Sequence, residues 1–421
     1  MKILMVVYQF MPVYRGGAEM QCWLQARALA ARGHEVSILT PWLGGSTARK
    51  EILDGVVIRR LGFFLPVTMR VRRIHQWLRR KLVPPAAERA DPFSADRACA
   101  ATPRRRRFRF MAPVEWLGNF SFIAEAALFV GLHRISADVV HVHESHWIAS
   151  FGQWLGTRMG VPVFCKEAMG KVLQWPGPRD VPGRERWKPW RLKCRYLALT
   201  GHIREELVKA GIPDDRIEIL PNGVEIPSGM ARPAEHSRAV YAGNFTQGSV
   251  YKGFDILLQA WGRVHAQEPT MRLVMYGGGD ATRWKLFAAQ HGCGDSVEFA
   301  GRTERLADEF LRAGFLVLPS RVEGMSNVLL EAQAAGLPAV VSDIPGNLAV
   351  VRNGETGLAV PVGDAEALAQ AMVRLFRAPE LRAQLGRAAR ARVAEHFAVE
   401  KIVARLEEVY AQALASRPLH P

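Results

Sequence analysis

The chain opens on a continuous apolar run followed by an amphipathic stretch, and that alternation recurs to its end. KILMVVYQF (2–10) lacks polar alternation, so it predicts a strand covered on both faces. A Gly-Gly turn at Gly16 and Gly17 leads into AEMQCWLQARALAARG. There Met20, Trp23, Leu24, Ala28 and Leu29 follow helical spacing until Gly33 ends the pattern. EVSILT (35–40) predicts the next strand and Val56 to Arg60 another. ADVVHVHE (137–144) and VPVFCKE (161–167) predict two more, separated by a helix rich in small and aromatic residues.

The same grammar resumes after Pro221-Asn222-Gly223. Strands are predicted at 238–243, 271–276, 296–299, 315–318 and 338–342, with helices at 253–266, 281–291, 303–312 and 327–335. From Ala365 onward the chain reads as helical, ending in an amphipathic helix near 399–414. Apolar strands alternating with helices predict parallel sheets with helical crossovers, the doubly wound α/β class. Two Rossmann-like domains joined near 221–235 account for the whole pattern.

Composition agrees. At 421 residues the chain needs two or three cores, at about 150 residues each. With 49% hydrophobic and 23% charged residues it has the profile of an ordinary soluble globular protein, which excludes disorder, collagen and coiled coil. The longest apolar stretch, Phe122 to Leu132, is interrupted by Glu125 and falls short of the ~20 residues of a membrane span. The N-terminus runs into Met11-Pro12-Val13-Tyr14-Arg15 without a cleavage pattern, which predicts a buried strand rather than a signal peptide. Cys22, Cys99, Cys165, Cys194 and Cys293 are scattered without metal or redox spacing, as expected for a reducing cytoplasm.

Charge is less evenly spread. The formal net charge is +16, and between Arg59 and Arg109 fifteen Lys/Arg face three acids, a local net of +12. Within the segment 62–120, Val67, Val71, Ile74, Trp77 (or Leu78) and Leu82 fall near i, i+3/i+4 spacing among Arg70, Arg72, Arg73, Arg79, Arg80 and Lys81. That predicts a basic amphipathic helix, followed by a loop (PPAAERADPFSAD) and the run TPRRRRFRF. Three explanations compete: an anionic membrane surface contacted with Trp77, Leu78, Phe108 and Phe110 at the interface, nucleic-acid binding, and a merely solvated loop. The first is favoured and no nucleic-acid partner is expected.

The sharpest chemical signal is Glu323-Gly324-Met325-Ser326-Asn327-Val328-Leu329-Leu330-Glu331. A strand ends at Leu318-Pro319-Ser320 and a helix starts at Asn327, so N–H groups around Met325, Ser326 and Asn327 form a helix N-terminus suited to phosphate. Glu331, a turn further on, is placed for ribose hydroxyls, and Glu323, on the loop, for the hydroxyls of a second sugar. No Asp-x-Asp metal motif and no His/Cys cluster is present, and Asp214-Asp215 reads as a solvated turn.

This stretch resembles the Glu-x7-Glu motif of retaining glycosyltransferases of family 4, and the resemblance covers nearly the whole chain. PNGVE (221–225), LALTGHIREELVKAGIPDDRIEILPNG (197–223), AGNF…YKGFDILLQA (242–260), LPAVVSDIPGN (337–347) and NGETGLAVPVGD (353–364) are similar to the family's C-terminal half and its entry. Gly-Gly-Ala-Glu (16–19) and DVVHVH (138–143) are similar to its N-terminal half. The resemblance implies a GT-B fold, two facing Rossmann-like domains with a cleft between them. Residues 1–220 would form the acceptor-side domain, with the basic insertion at about 62–120. Residues 221–395 would form the nucleotide-sugar-binding domain, and 396–421 a helix returning to the first.

It also implies roles. Lys252 would neutralise the donor diphosphate. Gly16 and Gly17 would let backbone approach the donor or acceptor. His143 would sit beside the transferred sugar, and Arg302 would meet the nucleobase through its main chain. Glu323, Gly324, Met325, Ser326, Asn327 and Glu331 would bind the donor, with His143, Lys252 and Glu323 as the catalytic set. Lys166 and Glu167 are expected on the acceptor side. His141 is read as a packing residue on the opposite face of its strand from His143, and Glu144 and His146 are left unassigned. The family places an arginine where this chain has Asn244, which is expected among the donor-binding residues and can donate hydrogen bonds but carries no charge, so either phosphate stabilisation comes from elsewhere, or the enzyme is slower or uses a different donor.

The expected activity is retaining, metal-independent sugar transfer, without a resident cofactor, from a nucleotide-diphosphate sugar to a saccharide acceptor. That acceptor is expected to be lipid-linked, at the inner face of the cytoplasmic membrane, in polysaccharide or lipopolysaccharide synthesis. The alternatives are a soluble small-molecule acceptor, an epimerase of the same fold, and a degenerate binding or scaffolding member. A dinucleotide oxidoreductase is disfavoured, because neither Gly-Gly turn completes G-x-G-x-x-G with an acid ~20 residues on.

Overall fold

The computed structural model describes residues 1–12, 16–42, 47–62, 111–132, 134–144, 147–168, 192–235, 237–245 and 250–416. The basic helix predicted within 67–82, the loop and arginine run after it, and His146 lie outside the described residues. Two compact units divide the chain: Met1–Cys22, Ala30–Cys165 and Leu173–Cys194 form one, and Trp23–Leu29, Lys166–Val172 and Arg195–Pro421 the other.

In chain order the first elements are β1 (Lys2–Val6), α1 (Gly17–Ala31), β2 (Glu35–Pro41), β3 (Lys50–Leu53), β4 (Val56–Leu61), α2 (Met111–Gly131), β5 (Val139–Val142) and α3 (Trp147–Met159). There follow β6 (Val163–Glu167), β7 (Arg195–Ala198), α4 (Gly201–Lys209) and β8 (Ile217–Ile219). Their strands make one eight-stranded sheet in the order β3-β4-β2-β1-β5-β6-β7-β8. Ile3 to Val6 are all but fully buried, as a strand covered on both faces requires, with Lys2 opposite Glu35 and Ile3 opposite Val139 in the parallel register. The edge strand β3 is antiparallel to β4 and largely exposed, so no apolar run announced it. In α1 the buried face is Cys22, Gln25, Ala26 and Leu29, whereas Met20 is exposed. The apolar stripe predicted there is therefore rotated, because small residues pack closest to the sheet.

Helix α2 carries almost no charge, yet one carboxylate fixes its orientation. Glu125, buried, accepts hydrogen bonds from Arg49 Nη1 at 2.6 Å and from the Gly62 N–H at 2.5 Å. With that side pinned inward, Phe120, Leu128 and Leu132 are left more than half exposed at four- and eight-residue intervals. No helix among the described residues is long and apolar enough to cross a membrane.

The remaining elements are β9 (Arg238–Ala242), α5 (Phe254–Gln267), β10 (Arg272–Tyr276), α6 (Thr282–Gln290), β11 (Val297–Gly301), α7 (Leu306–Leu311), β12 (Phe315–Leu318) and α8 (Asn327–Ala334). After them come β13 (Ala339–Ser342), α9 (Pro345–Leu348), β14 (Gly357–Val360), α10 (Ala365–Arg377), α11 (Pro379–His396) and α12 (Val399–Ala415). The six strands run in the order β11-β10-β9-β12-β13-β14, and every pairing is parallel. β14 was not predicted, because GLAV follows a glycine-rich turn and is too short to show a period. Phe254, the first residue of α5, lies at the centre of an aromatic cluster with Tyr241, Phe245 and Trp284, at ring-centroid distances of 5.1, 5.2 and 5.0 Å. This cluster is the floor beneath the loops described next.

Candidate active site

Strand order locates the site before any side chain does. In the six-stranded sheet the chain leaves β9 outward through β10 and β11, then returns to place β12 on the other side of β9. At such a reversal the loops leaving two neighbouring parallel strands diverge, and a crevice opens at their carboxyl ends. Lys252 follows β9 and Glu323 follows β12, so the two come from opposite sides of the reversal.

They meet there. Lys252 Nζ lies 2.5 Å from Glu323 Oε1, which also accepts a hydrogen bond from Ser320 Oγ at 3.0 Å. Both side chains are mostly shielded, so each charge answers the other and neither is buried alone. Residues absent from the sequence-based set build the frame. Arg321 forks onto Asp255 at 2.9 and 2.6 Å, and its backbone N–H donates to the Tyr251 carbonyl at 2.7 Å. Tyr241, fully buried on β9, has a hydroxyl with no hydrogen-bond partner among the described residues. Burial first, and the charge of Glu323 second, push its pKa well above the usual phenol value, so it stays a donor.

Gly253 explains how the two loops come so close. Its φ is +71°, and a Cβ there would stand 2.0 Å from the Pro319 carbonyl oxygen. Gly324 is equally confined, since a Cβ would stand 1.4 Å from the carbonyl oxygen of Ala168. Ala168 directly follows Lys166 and Glu167, both buried, and so brings the end of β6 against the Glu323 loop.

Ser326 caps α8, its side chain accepting the Leu329 N–H at 3.4 Å. Met325 is buried and Asn327 partly so; both are bonded by Asn222, whose Nδ2 donates to the Met325 carbonyl at 3.4 Å and to Asn327 Oδ1 at 2.8 Å. Glu331, one turn into α8, is open to solvent on its own surface but crowded by protein around it. That crowding raises its pKa to about 7, a rise that water at the open side moderates. A pocket of about 190 Å³ adjoins Glu323 and Gly324 and is lined also by Thr200, His202, Glu206 and Gly346.

Asn244 is occupied elsewhere. Its Oδ1 accepts the Gly278 N–H at 3.0 Å, strapping the loop after β9 to the loop after β10. Arg302 is exposed beside the same glycine, about 4.0 Å from where a Cβ at 278 would stand. Asn244 therefore supplies loop geometry rather than charge.

In the eight-stranded sheet the corresponding reversal lies between β1 and β5. Gly16 and Gly17 follow β1, and the buried Glu19 turns back to accept the Gly16 N–H, the reach of a capping box. Burial, more than the neighbouring Glu144, raises the pKa of Glu19. His143 follows β5 and is buried, its N–H bonded to the Val6 carbonyl at 3.0 Å. His141 does not face away from it: the two rings stack at 4.2 Å with 24° between their planes, because strand residues two apart share a face. Among the described residues no group of three or more His, Cys, Asp or Glu side chains is placed to hold a metal ion.

Two outcomes follow from this geometry. Gly253→Ala should cost about 2–4 kcal/mol in urea unfolding, from the left-handed φ and the carbonyl clash together. The raised Glu331 pKa means the folded chain keeps a proton that the unfolded chain releases at about pH 4.5, so the contribution of Glu331 to stability falls as pH rises from there toward about 7. Glu331→Gln removes that loss, and its urea midpoint relative to wild type should climb over this window and then level off.

Comparison with known proteins agrees with the fold. Residues 236–378 match the family described as glycosyl transferases group 1, and residues 16–223 the glycosyl transferase 4-like domain. A D-inositol 3-phosphate glycosyltransferase of Acidothermus cellulolyticus is 31% identical over 314 residues, covering 66% of this chain and 68% of that protein. An exopolysaccharide phosphotransferase of Streptomyces coelicolor is 36% identical over 169 residues, covering 39% of this chain but only 18% of that longer protein. Among solved structures, the Anabaena protein HepE in complex with UDP-glucose superposes with a TM-score of 0.65 at 14% identity, over 98% of this chain and 99% of that one. With two parallel-sheet α/β halves and both domain families matched in order, the chain belongs to the group 1 glycosyl transferases, enzymes of the family-4 type with the GT-B fold.

Proposed function

We propose that this glycosyltransferase moves a sugar, with retention and without a metal ion, from a nucleotide-diphosphate donor to a lipid-linked saccharide in cell-surface polysaccharide or lipopolysaccharide synthesis. The observation that carries the donor half is the Lys252–Glu323 pair at the reversal between β9 and β12, beside the N-terminus of α8. An arriving diphosphate competes with Glu323 for the ammonium. Lys252 turns to the phosphate, and Glu323, released, accepts hydroxyls of the sugar. The helix N-terminus and Lys252 together meet the charge that grows on the leaving diphosphate, so they stabilise the transition state more than the bound donor. The acceptor oxygen bonds to the anomeric carbon as the carbon–phosphate-oxygen bond breaks on the same face, and the acceptor's proton passes to the departing phosphate. Glu331 is suited to the ribose hydroxyls, and Gly16, Gly17 and His143 to the sugar side.

The acceptor half rests on two features. The run from Arg59 to Arg109, fifteen basic residues against three acids, leads directly into α2. Helix α2 in turn presents Phe120, Leu128 and Leu132 to solvent with no acid on that stripe. Basic charge attracts anionic lipid and an apolar stripe enters the interface, which supports a peripheral position where lipid-linked acceptors lie. The relatives named as D-inositol 3-phosphate glycosyltransferases favour a second reading, a small phosphorylated polyol as acceptor.

Calorimetry of UDP, GDP and ADP in the presence of a chelator should show one of them binding in the micromolar range, with affinity reduced at least tenfold by Lys252→Ala; no binding by any would contradict the donor assignment. Cosedimentation at physiological salt should show binding to vesicles containing anionic lipid and not to neutral ones, weakened about tenfold by Leu128→Glu, since excluding one leucine from the interface is worth about one decade of affinity. Equal recovery with both vesicle types, or with neither, would leave the soluble polyol as the acceptor.

A further inference from the structure

Asn222, which the sequence gives no role of its own within PNGVE (221–225), is tied to the proposed donor motif itself. It lies three residues beyond β8 and is almost fully buried. Its backbone N–H donates to Met325 Sδ at 3.4 Å, and its Nδ2 donates to the Met325 carbonyl at 3.4 Å and to Asn327 Oδ1 at 2.8 Å. A carbonyl can only accept, so the amide nitrogen must be the atom facing Met325, which fixes the orientation of the Asn222 side chain. Its Oδ1 is buried with no hydrogen-bond partner among the described residues. The stretch is anchored two residues on, where Val224 exchanges hydrogen bonds with Phe397 and Val399 at 2.9 Å each. The far end of α8 is held as well: Arg390 Nη1 donates to the Ala334 carbonyl at 2.7 Å, and Gln333 Nε2 to the Thr356 carbonyl at 2.9 Å.

We propose that Asn222 is a positioning residue for the donor diphosphate, acting through Met325 and Asn327; the proposal rests on the donor site assigned above. In a planar trans peptide the carbonyl and the following N–H point in opposite directions. Holding the Met325 carbonyl against Asn222 therefore aims the Ser326 N–H the other way, and holding Asn327 Oδ1 directs the nitrogen of that amide away from Asn222. A free Met325 carbonyl could rotate toward the anion and repel it. Asn222 thus sets the polarity of the helix entrance without touching the donor. Because it acts on phosphate-facing groups, its loss should discriminate between ligands that differ only in the second phosphate.

The test is calorimetric titration, without metal, of UDP against UMP, GDP against GMP and ADP against AMP, on wild type, Asn222→Ala and Asn222→Asp, with thermal unfolding as the folding control. For the base that wild type prefers, Asn222→Ala should weaken the diphosphate about tenfold and the monophosphate less than threefold. Asn222→Asp should weaken the diphosphate further, since a carboxylate cannot donate to Met325 and adds negative charge beside the phosphate site. Should Asn222→Ala not fold, Asn327→Leu, which removes the acceptor at the other end of the bond, should reproduce the diphosphate-selective loss. Equal losses for both phosphates, or none, in a folded variant would overturn the positioning role alone. Wild type that binds none of the six nucleotides would overturn the donor site and this role with it.

Discussion

An ammonium and a carboxylate shielded together at the crevice where two parallel strands diverge are the constraint around which the second unit is arranged. Neither Lys252 nor Glu323 could be kept there alone without the cost of an unanswered charge. Their meeting requires the loops after β9 and β12 to run nearly in contact, which is why Gly253 is pressed on Pro319 and why Arg321 is bound both to Asp255 and to the Tyr251 carbonyl. The aromatic cluster around Phe254 packs behind these loops, and hydrogen bonds fasten both ends of α8. The result is a crevice whose positive charge is answered by an internal carboxylate.

Much of this was legible from hydrophobic period alone. β1, β9, β12 and β13 are continuous apolar runs because both of their faces are covered, and their predicted positions hold to within a few residues. Elements that are exposed or very short left no such trace. β3 is an exposed antiparallel edge, and β7 and β8 are three or four residues long. The buried stripe of α1 differs from the one its period predicts, because period ranks residues by hydrophobicity, while close packing on a sheet favours small ones such as Cys22 and Ala26 over Met20. The strand histidines show the opposite failing, since an alternation of two was enough to place His141 and His143 on one face.

The Glu-x7-Glu segment stood out because Glu323 and Glu331 lie close together in the chain, whereas its supports do not. Asn222 is 103 residues from Met325, and Arg321 is 66 from Asp255, so nothing local connects them. Asn244 is instructive in the same way. From sequence it is a missing charge; in the fold its side chain straps two loops together, and the charge at the crevice comes from Lys252. In the first unit the buried Glu125 plays a comparable organising part, since by pinning one side of α2 it decides which residues that helix offers to solvent.

In the proposed mechanism Lys252 exchanges a carboxylate for a phosphate. The most direct test is a crystal structure of the wild-type chain grown with its preferred nucleoside diphosphate in the presence of chelator. The diphosphate should lie at the N-terminus of α8, with Lys252 Nζ within hydrogen-bonding distance of a phosphate oxygen and no longer paired with Glu323. A nucleotide seated elsewhere, or one bound there while the Lys252–Glu323 pair stays closed, would contradict it.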